Sequence, residues 1–400
     1  MPELRDIQPR ETIRIGFMPL LDAAIPVVAA RCGFARKYGL EIELVRETSW
    51  ANVRDRLAIG HFDAAHLLAP LPIAATLGLT PYDVPLVVPM TLGHGGNAIT
   101  VSETVWQAMV TAMPEVVAND PVTTGQALKQ VILVRRQRGE APLALAVVHP
   151  YSSHNYELRY WLAASGIDPD EDVAIAILPP PYMPDALAAR RIDGFCVGEP
   201  WNSVAAQRSA GRIILTKQAI WPASPDKVLA LRADWAEAHG DLVDRLMLAL
   251  IESALWCAEP AYLEPLVEIM SGPDILGVDA ESIRPALSGA LVLADGPHVI
   301  PGMLDFAGGD ANFPWKSHAL WYLAQMIRWR QASPAPEAGE RAAAVYRPDL
   351  YRKAAMHLGL SAPEADFRHE AGSATKPSLG FFDGMTFDPE DLLPGCCIAR

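Results

Sequence analysis

Apolar and polar residues alternate in two short stretches near the start of the chain. The alternating apolar positions are Ile13, Ile15 and Phe17, followed by Leu40, Ile42 and Leu44. This spacing predicts two strands, each with one buried face. The segment between them, residues 23–38, is predicted to be a helix that ends at Gly39. The β-α-β order is typical of a parallel sheet with helices on its faces.

The same alternation of strands and helices continues along the chain. Ser49 is a suitable N-cap for a helix that reaches Gly60. Further strands are predicted at 63–68, 85–90, 98–101, 143–148, 173–178 and 213–215, and further helices at 126–137, 183–190 and 241–257. Because residues 98–215 have an α/β pattern of their own, we predict two lobes. Residues 1–97 and 216–400 form the first lobe, and residues 98–215 form an inserted second lobe.

The last forty residues contain few regular patterns but three phenylalanines, Phe381, Phe382 and Phe387. A segment with that many aromatic residues is expected to pack on the body of the protein rather than stay disordered. We therefore predict a C-terminal tail that wraps on the first lobe.

One stretch combines a strand end, a polar loop and a helix start. The apolar run 143–148 leads into a loop of Pro, Ser and His, and His154 stands at the start of the following helix. Open α/β sheets bind ligands at such junctions, since a helix N-terminus offers unpaired N–H groups and partial positive charge. His154 is therefore a candidate anion ligand, although a capping or surface histidine would give the same pattern.

Other candidate residues allow two interpretations each. The run 93–96, Gly-His-Gly-Gly, lacks the Lys-Ser/Thr of a phosphate-binding loop. It is either a tight turn or a place where backbone N–H groups approach a small anion. Lys227, next to Asp226, is either a surface lysine with a weak ion pair or a ligand group. Trp50 and Trp201 suit either a core or the wall of a cleft.

Composition and charge narrow the classes of function. Half of the residues are hydrophobic and 20% are charged, as in an ordinary globular protein, and the net charge is −14. A general binder of nucleic acid or of anionic membranes needs a basic surface, so we expect neither partner. No apolar run of membrane-spanning length occurs, and the charged start, Met1 to Asp6, lacks the apolar core of a signal peptide. These features predict a cytoplasmic protein.

Metal, cofactor and catalytic motifs are missing from the sequence. The ten histidines form no H-E-x-x-H pattern, and no G-x-S-x-G elbow occurs. We predict no metal, no cofactor and no enzymatic activity. The five cysteines have no framework spacing. The vicinal pair Cys396-Cys397 suits an unspecialised tail, and a redox or metal role is the alternative.

Several motifs in one order resemble the nitrate- and bicarbonate-binding proteins of ABC transporters. They lie at 48–55, 63–70, 96–100, 154–164, 198–202 and 231–235, with Phe381-Phe382-Asp383-Gly384 in the tail. The resemblance implies an α/β, periplasmic-binding-protein-like fold of type II, with a ligand cleft between two lobes. It also implies an oxyanion site made by Trp50, Gly93, Asn97, His154, Pro180 and Lys227. Asn97 stands where the transport receptors carry Gln.

The resemblance further implies a small oxyanion as ligand. Nitrate is planar and monovalent, so it suits one cation, Lys227, directional donors, His154 and Asn97, and a flat apolar wall, Trp50. Bicarbonate-binding relatives place an acidic residue at the position of Lys227, so nitrate or nitrite is expected.

The start of the chain separates the relatives. Without a signal peptide, the chain resembles the cytoplasmic nitrate/nitrite sensors of the NasS type. That resemblance implies a partner, a NasT-type RNA-binding antiterminator, which is sequestered without ligand and released when ligand binds. The alternative is the substrate-binding component of a nitrate ABC transporter. Pyrimidine synthases of thiamine biosynthesis share the fold class, but they carry a Cys-rich run that this chain lacks.

Overall fold

A computed structural model of the chain describes residues 10–370 and 380–391. The strands in chain order are β1 (Glu11–Phe17), β2 (Leu40–Arg46), β3 (Ala64–Leu68), β4 (Leu86–Thr91), β5 (His94–Gly95), β6 (Asn97–Ser102), β7 (Leu143–Val147), β8 (Val173–Ile177), β9 (Gly194–Gly198), β10 (Gly211–Thr216), β11 (Lys227–Arg232), β12 (Ala290–Leu293), β13 (Gly296–Val299) and β14 (Leu304–Asp305).

The α-helices follow the same order. They are α1 (Ala24–Arg31), α2 (Phe34–Lys37), α3 (Trp50–Ala58), α4 (Leu71–Thr76), α5 (Glu103–Ala112), α6 (Pro121–Gln137), α7 (Ser153–Ala164), α8 (Met183–Ala188), α9 (Trp201–Gln207), α10 (Lys217–Ile220), α11 (Ala233–Ala238), α12 (Gly240–Ala258), α13 (Leu263–Ser271), α14 (Ala280–Ser288), α15 (Lys316–Arg328), α16 (Pro336–Val345) and α17 (Pro348–His357). Short 3-10 helices lie at Leu21–Ala23, Pro180–Tyr182 and Pro260–Tyr262.

The first five-stranded sheet has the order β2-β1-β3-β11-β4. Its first three strands run parallel, while β11 pairs antiparallel with both β3 and β4. The register sets Lys227, at the start of β11, opposite Leu68, at the end of β3. Antiparallel pairing therefore brings Lys227 to the edge of the sheet where the parallel strands end, which is where such sheets bind ligands.

The second five-stranded sheet has the order β10-β6-β9-β7-β8, with β7 parallel to its two neighbours. Its strands span Asn97 to Thr216, which is one residue beyond each end of the predicted inserted lobe, residues 98–215. We call the parts built on the first and second sheets lobe 1 and lobe 2. The two mixed sheets, covered by helices, confirm the predicted α/β class.

Side-chain caps begin several of the helices. Ser49 accepts a hydrogen bond from the Asn52 N–H at 3.2 Å and caps α3 as predicted. Ser152 caps α7 in the same way, with its Oγ 3.0 Å from the Asn155 nitrogen. Asp120 accepts from two N–H groups at the start of α6, so that helix begins five residues before the predicted position.

The helix predicted over residues 23–38 is divided into two. Helix α1 ends at Arg31, and α2 begins at Phe34 after Gly33. Gly33 has φ = +86°, a left-handed conformation that ends α1 and that residues with a Cβ rarely adopt. The prediction of one continuous helix was wrong because Gly33 was treated as an interior residue.

The region after β11 packs on both lobes. Helices α12 and α17 cover lobe 1, whereas the β12–β13 hairpin packs on β10 and α9 of lobe 2. In the tail, Phe381 lies among the rings of Tyr160, Trp221 and Trp321, and the Tyr160 hydroxyl donates to Asp383 at 3.0 Å. The predicted division assigned residues 216–400 to the first lobe alone, whereas the hairpin in this segment packs on lobe 2. Cys396 and Cys397 lie outside the described residues.

No single helix in residues 10–370 and 380–391 combines the length and the apolar character needed to cross a bilayer. Gly240–Ala258 and Pro260–Ser271, which meet at 84°, reach that length only as a bent pair.

Candidate functional site

Five segments meet between the two sheets, each at a strand end. Lobe 1 contributes the turn after β1, the start of α3, and the start of β11. Lobe 2 contributes the β7–α7 loop and the start of β6 beside the end of β9. These segments carry Trp50, Asn97, His154 and Lys227, four of the six predicted site residues, and all four side chains are buried.

Lys227 is the charged centre of this site. Its ammonium group lies 3.0 Å from Asp22 Oδ2 and forms a second ion pair with Asp226. Burial works against the charged form, but Asp22 and Asp226 outweigh burial and raise the pKa of Lys227. Lys227 is thus a permanent cation. Its charge is already matched by two carboxylates, and it is buried, so it is not the surface lysine that the sequence left open as one interpretation.

Trp50 forms one wall beside this cation. The ring centroid of Trp50 lies 5.4 Å from Lys227 Nζ, within the range of a cation–π contact. The His66 ring lies 5.4 Å from the Trp50 ring. His66 Nδ1 accepts from the Met18 N–H at 3.4 Å, which leaves Nε2 as the donor to Asp22 Oδ1 at 2.8 Å. His66 therefore holds the Asp22 carboxylate against Lys227.

His154 approaches the same group of charges from lobe 2. Its Nε2 lies 3.7 Å from Asp226 Oδ2, beyond hydrogen-bond distance, and the neighbouring Ser153 hydroxyl donates to Asp226. Burial lowers the pKa of His154 to about 3, although Asp226 favours the charged form. His154 is therefore a neutral imidazole in this arrangement. The predicted position at a helix start is correct, since α7 begins at Ser153.

Asn97 belongs to a second buried group of polar residues. Its amide nitrogen lies 3.5 Å from Glu157 Oε2, at the limit of a hydrogen bond. Glu157 also accepts from Ser224 at 2.8 Å and pairs with Lys217 at 3.0 Å. Burial raises the pKa of Glu157, while Lys217 opposes that shift. Asn97 is thus positioned by an ion pair that the sequence did not reveal.

Gly93 and Pro180 occupy different surroundings. Gly93 has φ = +103°, and a Cβ at that position would lie 2.5 Å from the Asp305 carbonyl oxygen. The close approach of this backbone therefore explains the glycine without a ligand. Pro180 is buried in the short helix after β8 of lobe 2. The Leu92 N–H, one residue before Gly93, donates to the Lys227 carbonyl at 2.9 Å. The role of Gly93 and Pro180 as ligand residues stays a prediction.

Three of the predicted side chains carry buried polar atoms without a partner among the described residues. They are Trp50 Nε1, Asn97 Oδ1 and both ring nitrogens of His154. Buried polar groups in proteins almost always have a hydrogen-bond partner, so each exception needs an explanation. The Trp50 ring lies beside Lys227, and the His154 ring lies beside Asp226. A small ligand with several acceptor atoms could accept hydrogen bonds from these nitrogens.

Sequence analysis missed Asp22 as a member of this site, and it treated Asp226 only as a neighbour of Lys227. Asp22 follows β1 in a short helix and meets Lys227 across 205 positions of sequence. A signal was present, because a carboxylate just after a parallel strand lies at the ligand-binding edge. Across the described ranges, no group of three or more His, Cys, Asp or Glu side chains has a metal-binding arrangement.

The sequence of this chain is similar to those of known proteins. The NMT1-like family matches residues 6–271. The nitrate/nitrite binding protein NrtA of Synechococcus elongatus is 34% identical over 95% of this chain and 84% of its own length. The nitrate import ATP-binding protein NrtC of Synechocystis is 36% identical, and this chain spans 54% of its length.

Among solved structures, the periplasmic nitrate-binding protein NrtA from Synechocystis superposes with a TM-score of 0.87 at 28% identity. The match covers 97% of this chain and 98% of that protein. The predicted periplasmic-binding-protein-like fold is thereby confirmed. The chain belongs to the NMT1-like family and is a homologue of the NrtA-type binding proteins of ABC transporters.

Proposed function

We propose that the protein binds nitrate or nitrite between its two lobes, as the substrate-binding component of an ABC-type uptake system. The observation that carries this proposal concerns buried nitrogens of Trp50 and His154, which have no partner among the described residues and lie beside the ammonium group of Lys227. The three relatives named above are nitrate-binding and nitrate-import proteins, and their names support the same ligand and role. A binding protein, rather than an enzyme, is the class these relatives support.

Nitrate suits the donors of this site. It is planar, carries one negative charge and has only acceptor oxygens, so it can use an indole N–H, an imidazole N–H and an ammonium group together. Trp50, His154 and Lys227 supply these three donors from both lobes. Because the anion would contact lobe 1 and lobe 2 at once, binding favours the closed arrangement of the lobes.

Bicarbonate is a second candidate ligand because of the carboxylates at the site. Asp22 and Asp226 lie beside Lys227, and bicarbonate has an O–H group that a carboxylate accepts, whereas nitrate has none. The lysine at position 227 favoured nitrate, because bicarbonate-binding relatives place an acidic residue there. Here Asp22 and Asp226 supply acidic groups beside Lys227, so bicarbonate also suits the site. A direct comparison of the two anions is therefore part of the test.

A NasS-type regulatory role is the other functional proposal. In that role the protein would act in the cytoplasm, sequester a NasT-type RNA-binding antiterminator without ligand, and release it when nitrate binds. The transport names of the relatives favour uptake over regulation. Co-purification of such a partner, and its release by nitrate but not by chloride, is the experiment that would support regulation instead.

The binding site is tested with His154→Leu. Since the His154 ring nitrogens have no partner among the described residues, an apolar residue leaves no protein group unpaired, and folding stability should be unchanged or higher. Loss of a hydrogen bond to a charged ligand costs about 1.5–3 kcal/mol, so we expect roughly 10- to 150-fold weaker nitrate binding by calorimetry.

Ile283→Val serves as the control for a buried substitution elsewhere, because Ile283 lies in α14, a helix that packs mainly on α13. Its nitrate affinity should equal that of the wild type. If His154→Leu binds nitrate as tightly as the wild type, the proposed site is wrong. If the wild-type protein binds bicarbonate and not nitrate or nitrite, the proposed ligand is wrong and the site stands.

A further inference from the structure

The buried site contains one more carboxyl side chain than ammonium groups. Lys227 is paired with Asp22 and Asp226, and Lys217 is paired with Glu157. Two ammonium groups therefore face three carboxylates, and all five side chains are at most 4% exposed. A further negative charge in such an environment is strongly unfavourable, because burial removes the water that would stabilise it.

Asp226 already uses the groups that an anion would need. Its carboxylate pairs with Lys227, accepts from the Ser153 hydroxyl, and lies 3.7 Å from His154 Nε2. Burial alone would raise the pKa of Asp226, but the ammonium groups of Lys227 and Lys217 hold that pKa well below its usual range. Asp226 is thus a fixed internal anion that competes with any external one.

His154 is the group that can offset an added charge. Both its ring nitrogens are without a partner in the described part of the chain. A protonated His154 would have two N–H donors, one for Asp226 and one for a bound anion. By contrast, Lys217 is already bonded to Glu157 and to the Pro225 carbonyl, each at 3.0 Å.

We propose that Asp226 makes anion binding proton-coupled, so that nitrate or nitrite enters the site together with one proton from solvent, which His154 takes. The proton adds to a free imidazole nitrogen, and the resulting imidazolium lies between Asp226 and the anion. The site then has the same net charge with ligand as without it. This inference rests on the proposed anion-binding function and assigns Asp226 as the residue that sets its pH dependence.

Other titratable groups face the same volume. The groups that act on Asp226 or His154 are Lys227, Lys217, Asp22, Glu157, Cys196 and Tyr322. Burial raises the pKa of Cys196 and Tyr322, so both stay neutral at physiological pH. Glu199 is buried elsewhere in the interface between the lobes, where burial raises its pKa to about 7. Because Glu199 titrates in the relevant range, it must be tested separately.

The experiment is calorimetric titration of the full chain with sodium nitrate at pH 6, in MES-type and Bis-Tris-type buffers of different ionisation enthalpy. The buffer dependence gives the number of protons bound per anion, and we expect about one. From pH 6 to 8.5, affinity should fall by up to about tenfold per pH unit. Asp226→Asn should bind without proton uptake, and about tenfold or more tightly than the wild type at pH 8.5.

Glu199→Gln is the matched control, and it should retain the proton uptake. No uptake in the wild type would overturn the proposal, and that measurement does not depend on any variant folding. Uptake that persists in Asp226→Asn, or disappears in Glu199→Gln, would overturn the assignment to Asp226. If the wild type binds neither nitrate nor nitrite at any pH, the proposed function itself fails, and this outcome is distinct from binding without proton uptake.

Discussion

At the scale of single residues, the buried charges of this protein differ in how they are compensated. Lys227 has two carboxylate partners, and Glu157 has an ammonium and a hydroxyl partner. Glu199 has less, because Oε2 accepts from the Ser203 N–H at 3.1 Å while Oε1 has no partner among the described residues. Burial therefore raises the pKa of Glu199 to about 7, and the hydrogen bonds from Ser203 only partly oppose it.

This difference makes Glu199 a source of pH-dependent stability. Its pKa rises from 4.5 in the unfolded chain to about 7 in the fold, so the folded state binds the extra proton between these values. The stabilising contribution is complete below pH 4.5 and is lost as the pH rises through 7. The total change is about 3 kcal/mol.

Glu199→Gln should remove this dependence. We expect the unfolding free energy of the variant, relative to the wild type, to increase by about 3 kcal/mol between pH 4 and pH 8. Urea unfolding of both proteins at the two pH values measures it. Other titrating groups cancel in the comparison, and a constant difference between the proteins would contradict the assigned pKa.

At the scale of elements, the sequence predicted those strands and helix starts that depend on residues close together in the chain. The alternating strands β1 and β2, the Ser49 cap and the start of α7 at the predicted loop follow from residues within a few positions of each other. Ion pairs between distant segments were not predictable in this way. Asp22 and Lys227 meet only because β3 lies between β1 and β11, and a single sequence does not encode that order locally.

The aromatic residues of the C-terminal tail predicted that it packs on the protein, but the sequence did not indicate which residues they contact. Phe381 is 6% exposed and lies 5.0 Å from the Trp221 ring and 5.1 Å from the Tyr160 ring. Trp221 precedes the Asp226-Lys227 loop, and Tyr160 is in the helix that begins beside His154. The tail thus packs against two segments that position site residues, α7 and the segment that leads to Lys227.

Phe381→Ala should show that this packing stabilises the fold. Removal of a buried phenylalanine ring costs about 3–5 kcal/mol, and we expect a decrease of that size in the free energy of unfolding by denaturant titration. Phe382→Ala is the matched control, since Phe382 is only half-buried and the backbone bond from its N–H to the Ile220 carbonyl is kept. Equal losses for the two variants would argue against a specific role for Phe381.

At the scale of the whole molecule, the two lobes are joined by contacts on several sides of the site. The Leu21 N–H donates to the Glu199 carbonyl, and the Trp201 Nε1–H donates to the Pro19 carbonyl, both at 2.9 Å. Behind them, the Ala294 N–H donates to the Ile213 carbonyl at 2.8 Å. These bonds stabilise the arrangement of the lobes in this structure without contacting a ligand. If this arrangement is the one that binds the anion, they belong to the equilibrium on which ligand affinity depends.

The Trp201 bond allows that equilibrium to be tested apart from the site. Trp201→Phe keeps an aromatic ring in the interface but removes the donor to Pro19. A hydrogen bond of this kind contributes about 0.5–1.5 kcal/mol, so the closed state should lose that amount relative to the open state. Because the anion contacts both lobes only when they are closed, nitrate affinity should fall by roughly 2- to 10-fold, and the ligand contacts themselves should stay intact.

Trp256→Phe is the control, because Trp256 stacks on Tyr262 at 4.7 Å within lobe 1 and does not join the lobes. Calorimetry on both variants, with nitrate in the same buffer, separates an effect on closure from a general effect of losing an indole. If Trp201→Phe binds nitrate as the wild type does, the bond to Pro19 persists equally in the open and closed states. The lobes would then move about a point close to this bond, and the contacts of the β12–β13 hairpin with β10 would be the ones that change.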